Sequence, residues 1–258
     1  MIRFLIKKAF FDAWDNLLSL ILMNLGFLLC LSLTILLPFT ARTAPGLIML
    51  ILVIPGIFIS HIYAGTISSL LCGISDNKSM SFSLLKPGFL KTWKASIILA
   101  AINSIMFITL TIVIPFYLSM GNLIGAVGAV IVFWLCVFWL LSSQYFFPIF
   151  LRMKGNIPSA LKKSLLITLD NPFFSFFILF YSMVILILSI ITALIMPGIS
   201  AVLLLHQDAV RLRLYKYDWM EENPGRKKSE IPWEVLVRED MDIIGKRSLK
   251  GMIFPWKN

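Results

Sequence analysis

The chain has 258 residues and a formal net charge of +10, with 59% hydrophobic residues and only 14% charged ones. Its 23 basic and 13 acidic side chains leave four blocks without any Asp, Glu, Lys or Arg, namely residues 16–41, 43–75, 95–151 and 171–207. This distribution excludes a soluble domain, because the helices of a soluble protein need a charged, solvated face. We expect an integral membrane protein.

The lengths of the blocks set the number of predicted crossings, since about 20 helical residues span a hydrocarbon core of about 30 Å. The first block predicts one helix, and the second predicts one long helix bent at Pro55. The third is long enough for two helices, which we separate at the turn-forming residues 119–122. The fourth is barely long enough for two, so we place a turn near 196–198 and end the last helix near Tyr217. The prediction is an all-α bundle of about six transmembrane helices in residues 1–217.

Basic residues set the expected orientation, because cytoplasmic loops retain Lys and Arg during membrane insertion. Such residues precede the first predicted helix and follow the second and the fourth, whereas only Arg42 lies in a connection on the other side. Eleven more follow Asp208, so a cytoplasmic tail requires an even number of crossings and favours six over five. We expect both termini in the cytoplasm, and we attribute the positive charge to topology and anionic lipid rather than to nucleic acid.

A short amphipathic, basic segment precedes each odd-numbered helix, in residues 2–14, 82–93 and 157–169. Each is expected to lie along the inner headgroup region before the chain turns across the bilayer. The chain is therefore predicted to form three units, each an interfacial segment followed by a transmembrane hairpin.

The first two predicted units agree in more than hydropathy. Trp14 is followed ten residues later by Asn24, and Trp93 is followed ten residues later by Asn103. Ten helical residues rise about 15 Å, which places each Asn near the bilayer midplane. Internal triplication and a chance alignment of interfacial aromatic residues both explain this agreement.

Five polar residues are candidate contacts within the membrane: Asn24, His61, Asn103, Gln144 and Tyr145. An unpaired amide in the bilayer is costly, so these side chains should face other helices. Two interpretations stay open, namely hydrogen bonds that join helices and a hydrophilic path for a solute or a partner helix. The last predicted helix contains Asp208, Arg211 and Arg213, so its cytoplasmic half is expected to emerge from the bilayer or to pack against protein. No formal charge is then expected within the membrane to couple ion movement, which disfavours an ion-driven transporter.

The sequence lacks the residue patterns of catalysis and of cofactor or metal binding. No His or Cys pair has the spacing of a zinc site, and no phosphate-binding loop or Ser-His-Asp pattern occurs. His206 is expected to cap carbonyls or meet headgroups at the cytoplasmic end of the last helix. Asp170, which precedes Asn171 and Pro172, is expected to cap the fifth helix. We predict a protein that is not an enzyme and needs no cofactor.

Residues 218–258 form a predicted cytoplasmic tail of nearly balanced charge. An amphipathic helix is predicted to begin at Pro232 and end at Gly245. About forty residues cannot build a core of their own, so the tail should dock on this protein, on the membrane surface or on a soluble partner. The candidate docking residues are Trp233, Phe254, Pro255 and Trp256.

Three motifs carry a resemblance to a known family: QYFFPIFLR at 144–152, PSALKKSL at 158–165 and DNP at 170–172. They resemble the central signature of the YesL family of bacterial membrane proteins, also called the domain of unknown function 624. NLGFLLC at 24–30 is similar to the first helix of that family, and WKAS at 93–96 is similar to the segment before its third. The chain departs from the family in the elements that follow the first helix, where it has LPFT at 37–40 and APG at 44–46.

The resemblance covers roughly residues 10–215 and implies a multi-pass protein of the bacterial cytoplasmic membrane. Members of the family commonly accompany sugar uptake systems and sensor kinases, and the family supplies no catalytic residue. We therefore favour a non-enzymatic accessory or regulatory component of a carbohydrate uptake or sensing system. The alternative is a transporter or permease subunit for a small solute, although the sequence lacks the acidic-Ala-Ala coupling loop of ATP-driven importers. The oligomeric state is left open.

Overall fold

A computed structural model describes residues 1–40, 46–153, 156–245 and 247, and in these ranges the regular structure is helical throughout. The bundle contains helices α1 Ile2–Asp15, α2 Leu17–Thr40, α3 Gly46–Ser75, α4 Leu85–Ile108, α5 Ile114–Ser119, α6 Leu123–Ser143, α7 Phe146–Arg152, α8 Ile157–Asp170, α9 Pro172–Ile191 and α10 Gly198–Glu222. Two short helices follow, α11 Trp233–Leu236 and α12 Arg238–Ile244. A 3₁₀ turn, Phe82–Leu84, precedes α4, and a π-helical turn, Thr109–Val113, joins α4 to α5.

Five helical segments of the described chain are long and apolar enough to cross a membrane: Leu17–Thr40, Gly46–Ser75, Phe82–Ser119, Leu123–Arg152 and Pro172–Ile191. Their outward surfaces carry many exposed large apolar side chains, which suits contact with lipid. The prediction of an all-helical, membrane-embedded protein is therefore confirmed. The sixth crossing and the arrangement in three hairpins stay predictions, because α10 does not share the apolar composition of the other five segments.

Helix α10 lies at the centre of the bundle and packs against α1, α2, α3, α7 and α9. Thirteen of its 25 residues are buried, including Asp208, Arg213 and Lys216. Charged side chains on a buried helix must be paired or packed against protein, because lipid offers them no partner. The neighbouring helices therefore cover the charged face of α10, which explains its atypical composition.

Small residues let α2 and α3 approach closely. An added Cβ at Gly56 would lie 2.6 Å from the Cα of Thr34, so the two backbones are in contact there. Close approach at glycine is the usual way in which membrane helices gain packing energy, since lipid provides no hydrophobic driving force between them.

The breaks between helices fall where the sequence predicts them. Helix α5 ends at Ser119 and α6 begins at Leu123, after Gly121 with φ +62°. The Asn122 side chain accepts a hydrogen bond from the Gly125 amide (2.8 Å) and caps α6. The second predicted break separates α9 from α10, which begins at Gly198 with φ +72°. Helix α3 continues through Pro55.

The three predicted interfacial segments differ from one another in the structure. Helix α1 buries Phe4, Leu5 and Phe11 against protein, and packs on α10 rather than facing only headgroups. The second segment is the first turns of α4, continuous with the span that follows it. The third, α8, is a separate amphipathic helix that leads directly to a span, as α1 leads to α2. Helix α1 differs from a purely interfacial helix because it packs on the charged face of α10.

The tail contains two short helices, α11 and α12, which meet at Val237 where one helix was predicted. Val237 and Ile244 are buried in the same apolar cluster as Phe4 and Leu5 of α1. The described part of the tail therefore contacts this protein itself. Trp233 begins α11 and is half-buried. The remaining predicted docking residues lie outside the described ranges: Phe254, Pro255 and Trp256.

Candidate functional site

A cavity of about 270 Å³ lies between six helices, α3, α4, α6, α7, α9 and α10. Three of the five predicted intramembrane polar residues line it, namely His61, Asn103 and Gln144. They belong to α3, to α4 and to the end of α6, so the packing of these helices brings residues that are far apart in sequence to one cavity. Four further polar residues complete the wall: Ser68, Ser143, Ser182 and His206.

A directed chain of hydrogen bonds fixes one side of the cavity. Trp139 Nε1 donates to Asn103 Oδ1 (2.7 Å), and Asn103 Nδ2 lies 2.7 Å from His61 Nε2. His61 Nδ1 lies 2.8 Å from the Ile57 carbonyl oxygen, which can only accept, so Nδ1 carries the proton. His61 Nε2 then accepts from Asn103. The imidazole is therefore neutral and held in one tautomer.

Residues His206 and Ser182 form the opposite side of the cavity. His206 Nε2 lies 3.1 Å from Ser182 Oγ, so the imidazole faces α9 inside the bundle. The expectation that His206 caps carbonyls or meets headgroups differs from this finding. The expectation failed because it took the charged residues after His206 as a sign of solvent, whereas the structure buries Asp208 as well.

Two residues of the lining each carry a buried polar atom without a hydrogen-bond partner among the described residues, Ser68 Oγ and Gln144 Oε1, and neither atom is exposed to the cavity. The Gln144 amide nitrogen donates to the Ser175 carbonyl oxygen (3.1 Å), which orients the side chain. Tyr145, the neighbour of Gln144, is fully buried behind the wall, and its hydroxyl lies 2.8 Å from Ser175 Oγ. Tyr145 supports the cavity but does not line it.

Asn24, the fifth predicted polar contact, lies away from the cavity and clamps the break between α9 and α10. Its Nδ2 donates to the carbonyl oxygens of Ile195 (2.9 Å) and Pro197 (2.8 Å), and its Oδ1 accepts from the Ser200 amide (2.9 Å). Every polar atom of the side chain is used, which fits a role in joining helices. Asn24 and Asn103, at matching positions in the predicted repeat, thus make different contacts.

One end of the bundle holds a second polar feature, which we call the ion network: Lys8, Asp12, Asp76, Arg152, Asp208, Arg211 and Asp240. Lys8 pairs with Asp12 (2.8 Å) and lies 3.8 Å from Asp240. Arg211 pairs with Asp240 (2.9 Å) and with Asp76 (3.3 Å), and Arg152 also pairs with Asp76. The network therefore links α1, α7, α10, the end of α3 and the tail.

Within the ion network, Asp208 is fully buried, and neither of its carboxylate oxygens has a hydrogen-bond partner in the described part of the chain. The network contains four carboxylates and three cationic side chains, so its formal charges do not balance. Burial raises the pKa of Asp12 above its ordinary value of 3.8, although Lys8 opposes the shift and Asp240 adds to it.

Asp170 ends α8 and anchors the far end of α10 instead of capping α9. Its carboxylate accepts hydrogen bonds from Lys216 (2.6 Å), from the Tyr217 hydroxyl (2.8 Å) and from Lys228. Partial burial alone would raise the pKa of Asp170, but these donors outweigh it and hold the pKa well below 3.8. The predicted cap is wrong because Asn171 occupies the N-cap position of α9, while Lys216 and Lys228 bind the Asp170 carboxylate.

No group of three or more His, Cys, Asp or Glu side chains in residues 1–40, 46–153, 156–245 and 247 is arranged to hold a metal ion. What the described residues do offer is a neutral intramembrane cavity and a charged network, both on α10. These features define the class as a multi-pass α-helical membrane protein with a partly open cavity that is lined by apolar and uncharged polar side chains. Comparison with protein-family models, with curated proteins and with solved structures found no match to this chain. The resemblance to the YesL family therefore stays a prediction from the motifs.

Proposed function

We propose that this protein is a non-enzymatic accessory or regulatory component of the bacterial cytoplasmic membrane, associated with a carbohydrate uptake or sensing system. In this proposal a small molecule binds in the intramembrane cavity and changes how the tail docks. The docked or released tail then acts on a partner, such as an uptake complex or a sensor kinase.

One observation carries the proposal: α10 connects the cavity to the tail. His206 lines the cavity, and Arg211, five residues further along the same helix, pairs with Asp240 of α12 (2.9 Å). Five helical residues correspond to about 7.5 Å along the axis. A small shift or rotation of α10 on ligand binding would therefore alter the contacts of Arg211 directly, without a long chain of intermediates.

The proposed topology has six crossings in three hairpins, with α10 as the sixth and both termini in the cytoplasm. The basic residues of the N-terminus, of the 78–94 segment and of α8 then lie on the cytoplasmic side, as the distribution of Lys and Arg favours. The ion network lies at the same end, because it joins α1 to the tail. The tail can therefore reach a cytoplasmic partner.

Carbohydrate is the proposed solute class of the associated system because of the motifs at 144–152 and 158–165, which resemble those of the YesL family. The uncharged cavity supports this choice, since a neutral solute needs no countercharge in the wall.

The second candidate function is transport by this protein itself, as a transporter or permease subunit. The ring of helices around a partly open polar cavity favours it, because transporters bind solute between helices near the middle of the membrane. The two candidates differ in one measurable property. A transporter moves solute alone in a lipid vesicle, whereas an accessory protein requires its partner.

Affinity purification in mild detergent, followed by identification of the copurifying proteins, tests the proposed function. We expect recovery of a membrane uptake complex or a sensor kinase in stoichiometric amount. Recovery of the protein alone, together with flux of a radiolabelled monosaccharide into proteoliposomes that contain only this chain, would overturn the accessory role in favour of transport.

A chain that ends at Glu222 keeps all of α10 and removes α11 and α12. If the tail contacts the partner, this truncated chain loses partner recovery while remaining monodisperse in detergent. The matched control is Asp242→Asn in the full chain, which changes an exposed side chain of α12 and should leave recovery unchanged. Equal recovery from the truncated and full chains would rule out the tail as the contact.

A further inference from the structure

Arg213, in the half of α10 that leads to the tail, is a buried arginine without an acidic partner. The residue is only 8% exposed, and no carboxylate of the described residues lies within ion-pair distance of its guanidinium. Arg211, two residues earlier on the same helix, pairs with both Asp76 and Asp240. Residues two apart lie on different sides of a helix, so the side of Arg211 faces the ion network and the side of Arg213 does not.

The guanidinium of Arg213 is open to the surface at one end. Its Nε is enclosed and has no hydrogen-bond partner among the described residues. Nη1 and Nη2 also lack a partner in that part of the chain but, unlike Nε, they are not enclosed. The exposed remainder of the residue therefore includes this fork of two nitrogen atoms, which can donate to two oxygen atoms of one anion at once.

The contact that positions Arg213 is its stack on an aromatic ring. The Arg213 Cζ atom lies 3.6 Å from the centre of the Phe174 ring. A cation–π contact offsets only part of the cost of removing a charge from water, and a counter-anion is needed for the rest. The described residues do not provide that anion. Phe174 thus holds the guanidinium in a fixed place and leaves its fork available to an external anion.

The charges around Arg213 are mainly positive. Asp170, whose charge acts on Arg213 from outside ion-pair distance, is already bound by Lys216 (2.6 Å) and by Lys228. Three cationic side chains therefore share one carboxylate in the cluster of Arg213, Lys216, Lys228 and Asp170. In the ion network, by contrast, carboxylates outnumber cationic side chains. An added anion is thus electrostatically favoured at Arg213 and disfavoured at the network.

The position of Arg213 along the bundle indicates the kind of anion. Phe174 is the third residue of the apolar segment Pro172–Ile191, so Arg213 lies at the depth where a membrane span begins. The phosphate groups of lipids lie at that depth. Phe173 is 90% exposed and Leu169 of α8 is 63% exposed, so this end of the bundle also presents large apolar side chains to lipid. Positive charge beside exposed apolar groups suits an amphipathic anion better than a free ion.

We propose that Arg213 binds the phosphate of an anionic phospholipid. Nη1 and Nη2 donate to two phosphate oxygens, Lys216 and Lys228 supply the surrounding positive potential, and an acyl chain lies against Phe173. In the proposed topology this lipid belongs to the cytoplasmic leaflet, because α9 begins on that side. The site does not involve the intramembrane cavity, so it goes beyond the proposed function and does not depend on it.

Lipid binding to the purified full chain in detergent tests the proposal, with native mass spectrometry as the readout. The probes are phosphatidylglycerol and phosphatidylcholine, which both carry a phosphate although only the first is anionic overall. We expect one phosphatidylglycerol molecule to bind about tenfold more tightly than phosphatidylcholine, and inorganic phosphate in excess should not displace it. Equal binding of the two lipids would overturn the proposal. Displacement by inorganic phosphate would overturn the lipid as the occupant and indicate a site for a free anion.

The variant Arg213→Gln tests the position of the site, with Arg226→Gln as the matched control. Arg226 is an exposed arginine that pairs with Glu230, so each variant removes one positive charge. We expect Arg213→Gln to weaken phosphatidylglycerol binding about tenfold, and Arg226→Gln to change it by less than about twofold. Arg213→Lys keeps the charge but loses the fork, so its affinity should lie between those of wild type and Arg213→Gln. Equal effects of Arg213→Gln and Arg226→Gln would refute the site.

Thermal unfolding in the two lipids separates lipid binding from a purely structural role of Arg213. Phosphatidylglycerol should raise the unfolding temperature of wild type and of Arg226→Gln relative to phosphatidylcholine, but not that of Arg213→Gln. An equal loss of stability in both lipids would mean that Arg213 only stacks on Phe174, which would contradict the proposal. Arg213→Lys gives the same comparison if Arg213→Gln yields no folded protein.

Discussion

Asp240 holds the tail on the bundle, and the variant Asp240→Asn measures how strongly. The Asp240 carboxylate is fully buried and accepts from Asn77 (3.1 Å) and from the Tyr215 hydroxyl (3.2 Å), besides pairing with Arg211 and facing Lys8. The substitution keeps the shape of the side chain but removes its charge. It also turns one acceptor into a donor that faces other donors.

The expected cost of Asp240→Asn follows from what its partners retain. Breaking a buried ion pair costs about 3–5 kcal/mol when the remaining charge is left alone. In the variant, Lys8 still pairs with Asp12 and Arg211 still pairs with Asp76. We therefore expect a cost at the lower limit of this range, about 3 kcal/mol. Since about 1.4 kcal/mol corresponds to a factor of ten, the undocked population of the tail should rise about a hundredfold.

Hydrogen exchange of the 237–245 segment in lipid nanodiscs is the appropriate assay. The Met241 amide donates to the Val237 carbonyl (2.8 Å) and the Gly245 amide donates to the Met241 carbonyl (2.9 Å), so both amides exchange only when the segment opens. We expect their exchange to accelerate about a hundredfold in Asp240→Asn. The control Asp242→Asn makes the same chemical change at an exposed position of α12. An acceleration below about threefold in Asp240→Asn would contradict the expected cost. Threefold corresponds to less than about 1 kcal/mol, which is the strength of a solvent-exposed ion pair.

Three further outcomes are expected. Gly56→Ala should destabilise the protein by about 1–3 kcal/mol in thermal unfolding in detergent, because its Cβ would meet the Thr34 backbone at 2.6 Å. Gly73→Ala in the same helix meets no heavy atom within 4 Å and should stabilise it by about 0.5–1 kcal/mol; the reverse order would contradict the packing. Asn24→Ala removes three hydrogen bonds at the α9–α10 break and should cost about 3 kcal/mol, with faster exchange in residues 192–200. Asp170 has a lowered pKa, so it stabilises the folded state above pH 3.8 and loses that effect as the pH falls below it. The unfolding temperatures of wild type and Asp170→Asn should therefore converge in acid and separate towards neutral pH, and a constant difference would contradict the ion pairs.

The sequence predicts the helical, membrane-embedded fold and its breaks because both depend on local chemistry. Long charge-free runs identify the five spans, and Gly121 with Asn122 marks the turn before α6. The same reasoning fails for α10, since its buried residues are explained only by the helices that surround it. Hydropathy cannot distinguish a charged face in water from one covered by protein.

Part of the candidate site could also be predicted from the sequence. A polar residue in a span is costly to leave unpaired, which led to His61, Asn103 and Gln144. The same principle could not separate these from Asn24, because an amide that clamps a turn and one that lines a cavity look alike in sequence. Ser68 and Ser182 went unnoticed, since serine is common in membrane helices and usually bonds its own backbone.

The ion network could not be predicted because its members are far apart in the chain. Asp12 and Asp208 lie on α1 and α10, and Asp240 belongs to the tail. Each looks like an ordinary residue at the edge of a span. Only the packing of α1 on α10 and of α12 on α1 brings them together and removes them from solvent.

The central position of α10 has a consequence for biosynthesis. All the helices that α10 packs against, α1, α2, α3, α7 and α9, precede it in the chain and leave the ribosome before it. Buried charge makes α10 a poor candidate for insertion into lipid by itself. The earlier helices must therefore leave an open groove, which is filled only when the innermost helix of the bundle follows them and the tail then docks at its end.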